Sequence, residues 1–145
     1  MRAFTIFTII CLVSVNCSFA ESFPELEVVG ELPPGFAWQF QNATDFYIYR
    51  AVSSTDAESV AGIYFGTAPN GLDNCKPERS GSIAGKRVRW CSSERGFETI
   101  LPFKYDRRST QLQLHVWVSS QNLQTREALR KAVERARFVP RKPSN

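Results

Sequence analysis

The stretch Gln111–Ser119, with the sequence QLQLHVWVS, has the clearest alternation of apolar and polar residues in the chain. Aliphatic side chains fall on one side of an extended backbone, at Leu112, Leu114, Val116 and Val118. Gln113, His115 and Trp117 fall on the other side. A period of two over this length predicts a β-strand with one buried face.

A helix is predicted directly after this strand, over Leu123–Phe138. Its apolar residues recur at steps of three and four, at Leu129, Ala132, Val133 and Ala136. This spacing gives one apolar stripe that can pack on a sheet. Asn122 can cap the start of the helix, and Pro140 stops its continuation.

The chain before this strand carries five further segments with the composition of strands. They are Phe36–Phe40, Asp45–Val52, Glu58–Gly66, Lys86–Cys91 and Phe97–Lys104. Gly62 within the third segment indicates a bulge or a close backbone approach. The sequence therefore predicts an α+β fold, in which an antiparallel sheet of five or six strands is packed by one C-terminal helix.

The two ends differ in composition from this domain. Residues 1–20 have a basic start, an apolar centre and a small-x-small ending, which predicts a secretory signal peptide and a periplasmic or secreted protein. Lipid attachment at Cys17 is the alternative. Residues 21–35 form an acidic, proline-containing arm, residues 36–138 a single domain, and residues 139–145 a basic tail. No second apolar stretch of spanning length follows, so we expect no transmembrane segment in the mature chain.

Cys75 and Cys91 are the only cysteines outside the predicted signal peptide, with 15 residues between them. Two cysteines at this distance in an exported protein usually pair, so we expect a disulfide. Two reduced, buried thiols are the alternative. His115 is the only histidine that could join them, so we expect neither a metal site nor a cofactor.

The segment between the cysteines is strongly basic. Arg79, Lys86, Arg87 and Arg89 surround Trp90 there, with one acidic residue in the whole segment. Interleaved arginine and tryptophan are typical of surfaces that bind nucleic acid, but export argues against that partner. We therefore expect a protein or an anionic envelope component as the partner. A solvated sheet face neutralised by local acids is the alternative.

His115 is the one candidate for acid–base catalysis. It needs a nearby carboxylate to act as a base, and a small hydrolase would place it in a pocket with Asp45, Glu98 or Asp106. No nucleophile elbow, phosphate-binding loop or paired-histidine metal spacing accompanies it. Trp117 on the same strand face makes a binding patch the other interpretation, and a plain surface histidine is the third.

Residues 62–70 have the sequence GIYFGTAPN, and residues 85–90 have the sequence GKRVRW. Both stretches resemble a pattern found in small exported bacterial proteins of uncharacterised function. The resemblance implies a bacterial envelope setting, and it transfers no catalytic residue.

These observations favour a non-enzymatic binding module for a macromolecular partner, similar in character to an inhibitor or an immunity protein. Such a protein needs a rigid surface and no catalytic set. A small hydrolase that uses His115 is the alternative hypothesis.

Overall fold

The structure is a computed structural model that describes residues 25–69, 71–72, 75–93, 96–107 and 111–142. The predicted signal peptide and Cys17 lie outside the described residues. In chain order the elements are β1 (Leu26–Val29), β2 (Phe36–Asn42), β3 (Phe46–Ser53), β4 (Val60–Gly66), β5 (Pro77–Ile83), β6 (Lys86–Ser93), β7 (Gly96–Phe103), β8 (Leu112–Ser119), α1 (Leu123–Arg135) and β9 (Arg137–Pro140).

Seven strands form one antiparallel sheet in the order β2-β3-β4-β8-β7-β6-β5, and β1 pairs with β9 in a separate two-stranded sheet. The predicted α+β class, with an antiparallel sheet and one C-terminal helix, is confirmed. The predicted number of five or six strands was wrong, because β1, β5 and β9 were not counted. Most side chains of β5 are exposed, so that edge strand has no apolar alternation for a sequence pattern to detect.

The helix begins as predicted and ends earlier. Oδ1 of Asn122 accepts hydrogen bonds from the backbone N–H groups of Gln124 and Thr125, at 2.9 and 3.0 Å. The last helical residue is Arg135 rather than Phe138, because the backbone is already extended at Ala136. The chain then pairs with β1 as β9. Phe138 packs edge-on against Phe65 and Phe103, with ring centroids 5.2 and 5.5 Å apart.

The core lies between one face of the large sheet and a second layer made of α1 and the β1–β9 pair. The aliphatic face of β8 is almost fully buried, as the alternation predicts. Leu129 and Val133 of α1 are fully buried in the same core. Further large buried side chains come from six of the other strands, among them Leu26, Tyr47, Tyr49, Ile63, Phe65, Ile83, Trp90, Leu101 and Phe103.

Polar contacts also hold the β1–β9 pair to the large sheet. The backbone N–H of Leu26 donates a hydrogen bond of 3.1 Å to the hydroxyl of Tyr47. The guanidinium of Arg141 lies 3.8 Å from the centre of the Phe40 ring, and its backbone N–H donates to the carbonyl of Glu25 at 2.9 Å. The acidic and basic segments at the two ends of the domain therefore meet each other.

Candidate functional site on the open face of the sheet

The face of the large sheet that points away from α1 is here called the open face. Strand register places Ile48, Tyr64, His115 and Ile100 in one row across β3, β4, β8 and β7. The next row contains Arg50, Gly62, Trp117 and Glu98. The large side chains of both rows are half-buried or exposed, whereas those of the opposite face are buried.

Two glycines of β4 allow aromatic rings to lie on the open face. A Cβ atom at Gly62 would collide with the indole of Trp117, and one at Gly66 would collide with the phenol of Tyr64. Phe46 stacks on Tyr64, with ring centroids 5.4 Å apart and an interplanar angle of 29°. Pairing is continuous through Gly62 on both sides, so this glycine marks a close approach and not a bulge.

Phe46, Tyr64, His115 and Trp117 together are here called the aromatic platform. Above it lies a pocket of about 420 Å³, also lined by Asp45, Ile48 and Ala68. Ligand sites in proteins occupy roughly 300–1,000 Å³, so this pocket suits a small group or one unit of a larger ligand.

His115 has a carboxylate partner at the edge of the platform. Its Nε2 lies 3.2 Å from Oε2 of Glu98, and its ring centre lies 5.5 Å from that of Trp117. The imidazole is 14% exposed and the carboxylate 38%. Asp45 lines the same pocket, whereas Asp106 lies in the turn after β7 and does not line it. The structure thus places Asp45 in the same pocket lining as His115 and Glu98 at hydrogen-bond distance from the imidazole, whereas Asp106 is not in that lining.

The predicted basic residues divide between the two faces of the sheet. Arg87 and Arg89 are exposed and lie on the open face, on the same side of β6 as Cys91. Arg50, which sequence reasoning did not single out, is exposed on the same face beside Gly62. Within the described part of the chain, none of these three arginines has an acidic partner at ion-pair distance.

Arg79, Lys86 and Trp90 lie on the helix side instead. Trp90 is fully buried, so it presents no surface to a partner. The guanidinium of Arg79 pairs with Glu127 of α1 and lies 5.2 Å from the centre of the Phe97 ring. Nζ of Lys86 donates to the carbonyl of Pro102 at 2.8 Å. The five residues are close in sequence, but alternate positions of a strand point to opposite faces.

The helix-side residues belong to a network that holds α1 on the sheet. Nε1 of Trp90 donates to Oε1 of Glu134 at 2.7 Å, and Nη1 of Arg130 donates to the same oxygen at 2.6 Å. Arg130, itself buried, also bonds Glu127. Burial alone raises the pKa of Glu127, but hydrogen bonds and charge from Arg130 and Arg79 outweigh it and hold that pKa below its ordinary value. These contacts are structural.

The predicted disulfide is present between Cys75 and Cys91, whose Cα atoms are 5.2 Å apart. Cys91 lies opposite Glu98 in the β6–β7 pairing, so the bridge flanks the open face. Within the described ranges, no helix is long and apolar enough to cross a membrane, and no group of three or more possible metal ligands occurs.

The sequence predicted only two of the four residues of the aromatic platform. His115 and Trp117 share a strand face by simple alternation, so they were recognised as a possible patch. Tyr64 and Phe46 join them only because β3, β4 and β8 are neighbours in the sheet. The available signal was the pair of glycines, Gly62 and Gly66, on the same face of one aromatic-rich strand.

Comparison with known proteins assigns no relative to this fold. The chain matches no protein-family model, no characterised protein and no solved structure. A function for this chain therefore has to be inferred from the geometry of the open face.

Proposed function

We propose that this chain is an exported, non-enzymatic binding protein that holds an anionic macromolecular partner, either a protein or an envelope component, on the open face of its sheet. The observation that carries the proposal is the aromatic platform beside three arginines that have no acidic partner in the described part of the chain.

The composition of the open face suits recognition. Tyrosine, tryptophan and arginine are enriched where proteins bind partners and supply most of the binding energy there. Trp117, Tyr64 and Phe46 are half-buried although the opposite face of the sheet holds a full core. These three rings therefore keep part of their apolar surface exposed to solvent, and a partner could cover it.

The spacing of the arginines favours an extended partner. Arg50 lies on β3, and Arg89 lies on β6, four strand intervals away in the sheet order. At about 4.8 Å per interval the two positions are roughly 19 Å apart. A ligand that satisfies both arginines and also covers Trp117 must span this distance, which is more than a single small molecule provides.

The disulfide is compatible with an exported protein. Bonds of this kind form and persist in oxidising compartments and are rare in the cytosol. The bridge between Cys75 and Cys91 fixes the start of β5 to β6, so it holds the strand that carries Arg87 and Arg89. A rigid surface lowers the entropic cost of binding.

A small hydrolase is the second candidate, because His115 and Asp45 line one pocket and Glu98 contacts the imidazole. Glu98 orients the imidazole as a base requires. None of the described residues that line the pocket is serine, threonine or cysteine, so His115 would have to activate water directly. Hydrolysis of ester or glycoside probes by the wild type, lost in His115→Ala, would establish this activity. Its absence would remove the candidate.

The proposed function is tested by capturing partners from an envelope extract with the oxidised mature protein, at low and at high salt. The variant Arg87→Glu/Arg89→Glu should lose the partner, and high salt should weaken wild-type capture because exposed charges are screened. Lys131→Glu/Arg135→Glu is the matched control, since it makes the same charge change on exposed positions of α1. Equal capture by both variants would refute the open face as the binding surface.

A further inference from the structure

The position of the aromatic platform in the sheet restricts what can bind to it. Trp117 lies on β8, the central strand, and Tyr64 lies on the adjacent β4. The backbone hydrogen bonds of both strands are taken by neighbours on either side. An extended peptide cannot add to the sheet here, because strand addition needs an edge strand, and among the described strands the edges of this sheet are β2 and β5. A ligand at the platform must contact side chains alone.

The rings of the platform are supported from below by backbone. Trp117 lies over Gly62 and Tyr64 over Gly66, so each ring is held across the sheet rather than standing upright from it. A pyranose ring has an apolar surface of C–H bonds that matches a flat aromatic ring, with hydroxyl groups around its rim. Tyrosine and tryptophan combine an apolar ring with one polar O–H or N–H group, so they can contact both parts of such a sugar.

Polar groups surround the platform where the rim of such a ring would lie. Asp45 and His115 line the pocket, and Glu98 bonds the imidazole from one side. Gln113 faces the same way in register with Gly66. Carboxylates accept hydrogen bonds from hydroxyls, and imidazole and amide groups can both accept from and donate to them. A purely apolar partner would leave these groups without hydrogen bonds and would bind poorly.

Charge around the pocket adds a second requirement. Arg50 pairs with Gly62, the residue against which the Trp117 ring lies, and Arg87 and Arg89 lie on β6 of the same face. A neutral sugar chain would use the platform and leave all three arginines unpaired. A chain that carries carboxylate groups along its length would meet both features, since guanidinium groups pair well with carboxylates.

From this juxtaposition we propose that the platform is a sugar-binding subsite for an acidic polysaccharide. One pyranose ring packs on Trp117 and Tyr64 within the pocket, and carboxylates of flanking units pair with Arg50, Arg87 and Arg89. This inference rests on the proposed binding function and names the chemical class of the partner.

The test is titration calorimetry of the oxidised mature protein with three probes. Oligogalacturonate carries both rings and carboxylates, cello-oligosaccharide carries rings alone, and polyglutamate carries carboxylates alone. Oligogalacturonate should bind most tightly. Trp117→Ala should raise its Kd by about tenfold or more, as expected for an aromatic hot spot, while Trp117→Phe should restore part of the affinity by keeping a ring.

Controls separate loss of the platform from loss of folding. Tyr105→Ala removes an exposed aromatic ring that lies in the turn after β7, and it should leave the Kd unchanged. Polyglutamate should bind weakly, and its Kd should respond to Arg87→Gln/Arg89→Gln but not to Trp117→Ala. If Trp117→Ala fails to fold, Tyr64→Leu provides the same measurement from the adjacent strand.

The outcomes distinguish this inference from the function on which it rests. The proposal of a sugar subsite fails if oligogalacturonate and polyglutamate bind with equal Kd, or if Trp117→Ala changes the Kd of neither. The proposal of an anionic partner would survive that result. A protein partner whose capture is insensitive to Trp117→Ala leads to the same conclusion. If no anionic probe binds and no partner is captured from extract, the inference and the proposed function both fail.

Discussion

Oε1 of Glu134 accepts two hydrogen bonds, one of 2.7 Å from Nε1 of Trp90 and one of 2.6 Å from Nη1 of Arg130. A fully buried ring of the sheet and a buried cation of the helix thus share one carboxylate. Without that carboxylate, two buried donors would lose a partner at once, which is costly in a protein interior.

Replacing Glu134 by alanine should therefore lower the free energy of unfolding by about 2 kcal/mol, since the buried indole N–H of Trp90 and Nη1 of Arg130 lose their acceptor, while Arg130 keeps its ion pair with Glu127. Urea denaturation followed by tryptophan fluorescence measures the loss. Glu58→Ala, at an exposed position before β4, is the control and should change stability little. A loss no larger than that of the control would mean that the network contributes nothing to stability.

Acid should weaken the contact between α1 and the sheet through Glu127. The pKa of this carboxyl is lower in the folded protein than its ordinary value of 4.5. Its contribution to stability is therefore complete above that value and is lost as the pH falls through the folded pKa. Near neutral pH, Glu127→Gln should have a lower Tm than the wild type. At about pH 3 the difference between the two Tm values should be smaller. A difference that is constant across this range would contradict the prediction.

The contact between Gly62 and Trp117 predicts strong coupling between the two positions. Gly62→Ala should destabilise the protein by about 2 kcal/mol, because the new methyl group occupies the space of the indole. In a Trp117→Ala background the same substitution should cost much less. A double-mutant cycle measures this coupling, and additive effects of the two substitutions would show that the ring does not lie on Gly62.

Tyr47 should anchor the β1–β9 pair through its hydroxyl. Tyr47→Phe removes the acceptor for the backbone N–H of Leu26, a fully buried residue, and should cost about 1.5 kcal/mol. Tyr49→Phe is the matched control, since the described residues give its hydroxyl no hydrogen bond. Hydrogen exchange should rise in β1 and β9 for the first variant only, and equal protection in both variants would count against the anchor.

Reduction of the Cys75–Cys91 bridge should destabilise the domain by roughly 3 kcal/mol, as expected for a closed loop of this length. The two cysteines are 16 positions apart. Thermal melts with and without reductant measure the change in Tm. Cys75→Ser/Cys91→Ser should have the Tm of the reduced wild type, and reductant should not change it. If reductant lowers the Tm of the double variant as well, the effect does not come from this bridge.

Local rules predicted the parts of the fold that depend on near neighbours. The alternation in β8 and the capped start of α1 follow from residues within a few positions of each other, and both are observed. β5 and β9 depend on partners distant in sequence. β5 is an exposed edge with one buried residue, Ile83, and β9 exists because β1 is there to pair with it. Neither has a pattern of its own.

The same distinction applies to the candidate site. Alternation along β6 correctly places Arg87 and Arg89 opposite Trp90, and it could not show that Trp90 lies in the core. The neighbourhood of His115 depended on strand order, which several antiparallel arrangements satisfy equally well. Once β4 and β8 are known to be adjacent, Tyr64 falls beside His115 in register, and the platform follows.

The pairing of β1 with β9 sets an order of events during synthesis. Leu26 comes near the beginning of the described chain, and its partner Pro140 comes near the end. A ribosome or a translocation pore releases the chain from its first residue to its last, so this pair cannot close until almost all of the domain has emerged. Until then the rings of Phe65 and Phe103, which Phe138 covers, remain available to a chaperone. Within this domain, the residues that emerge last therefore complete the core.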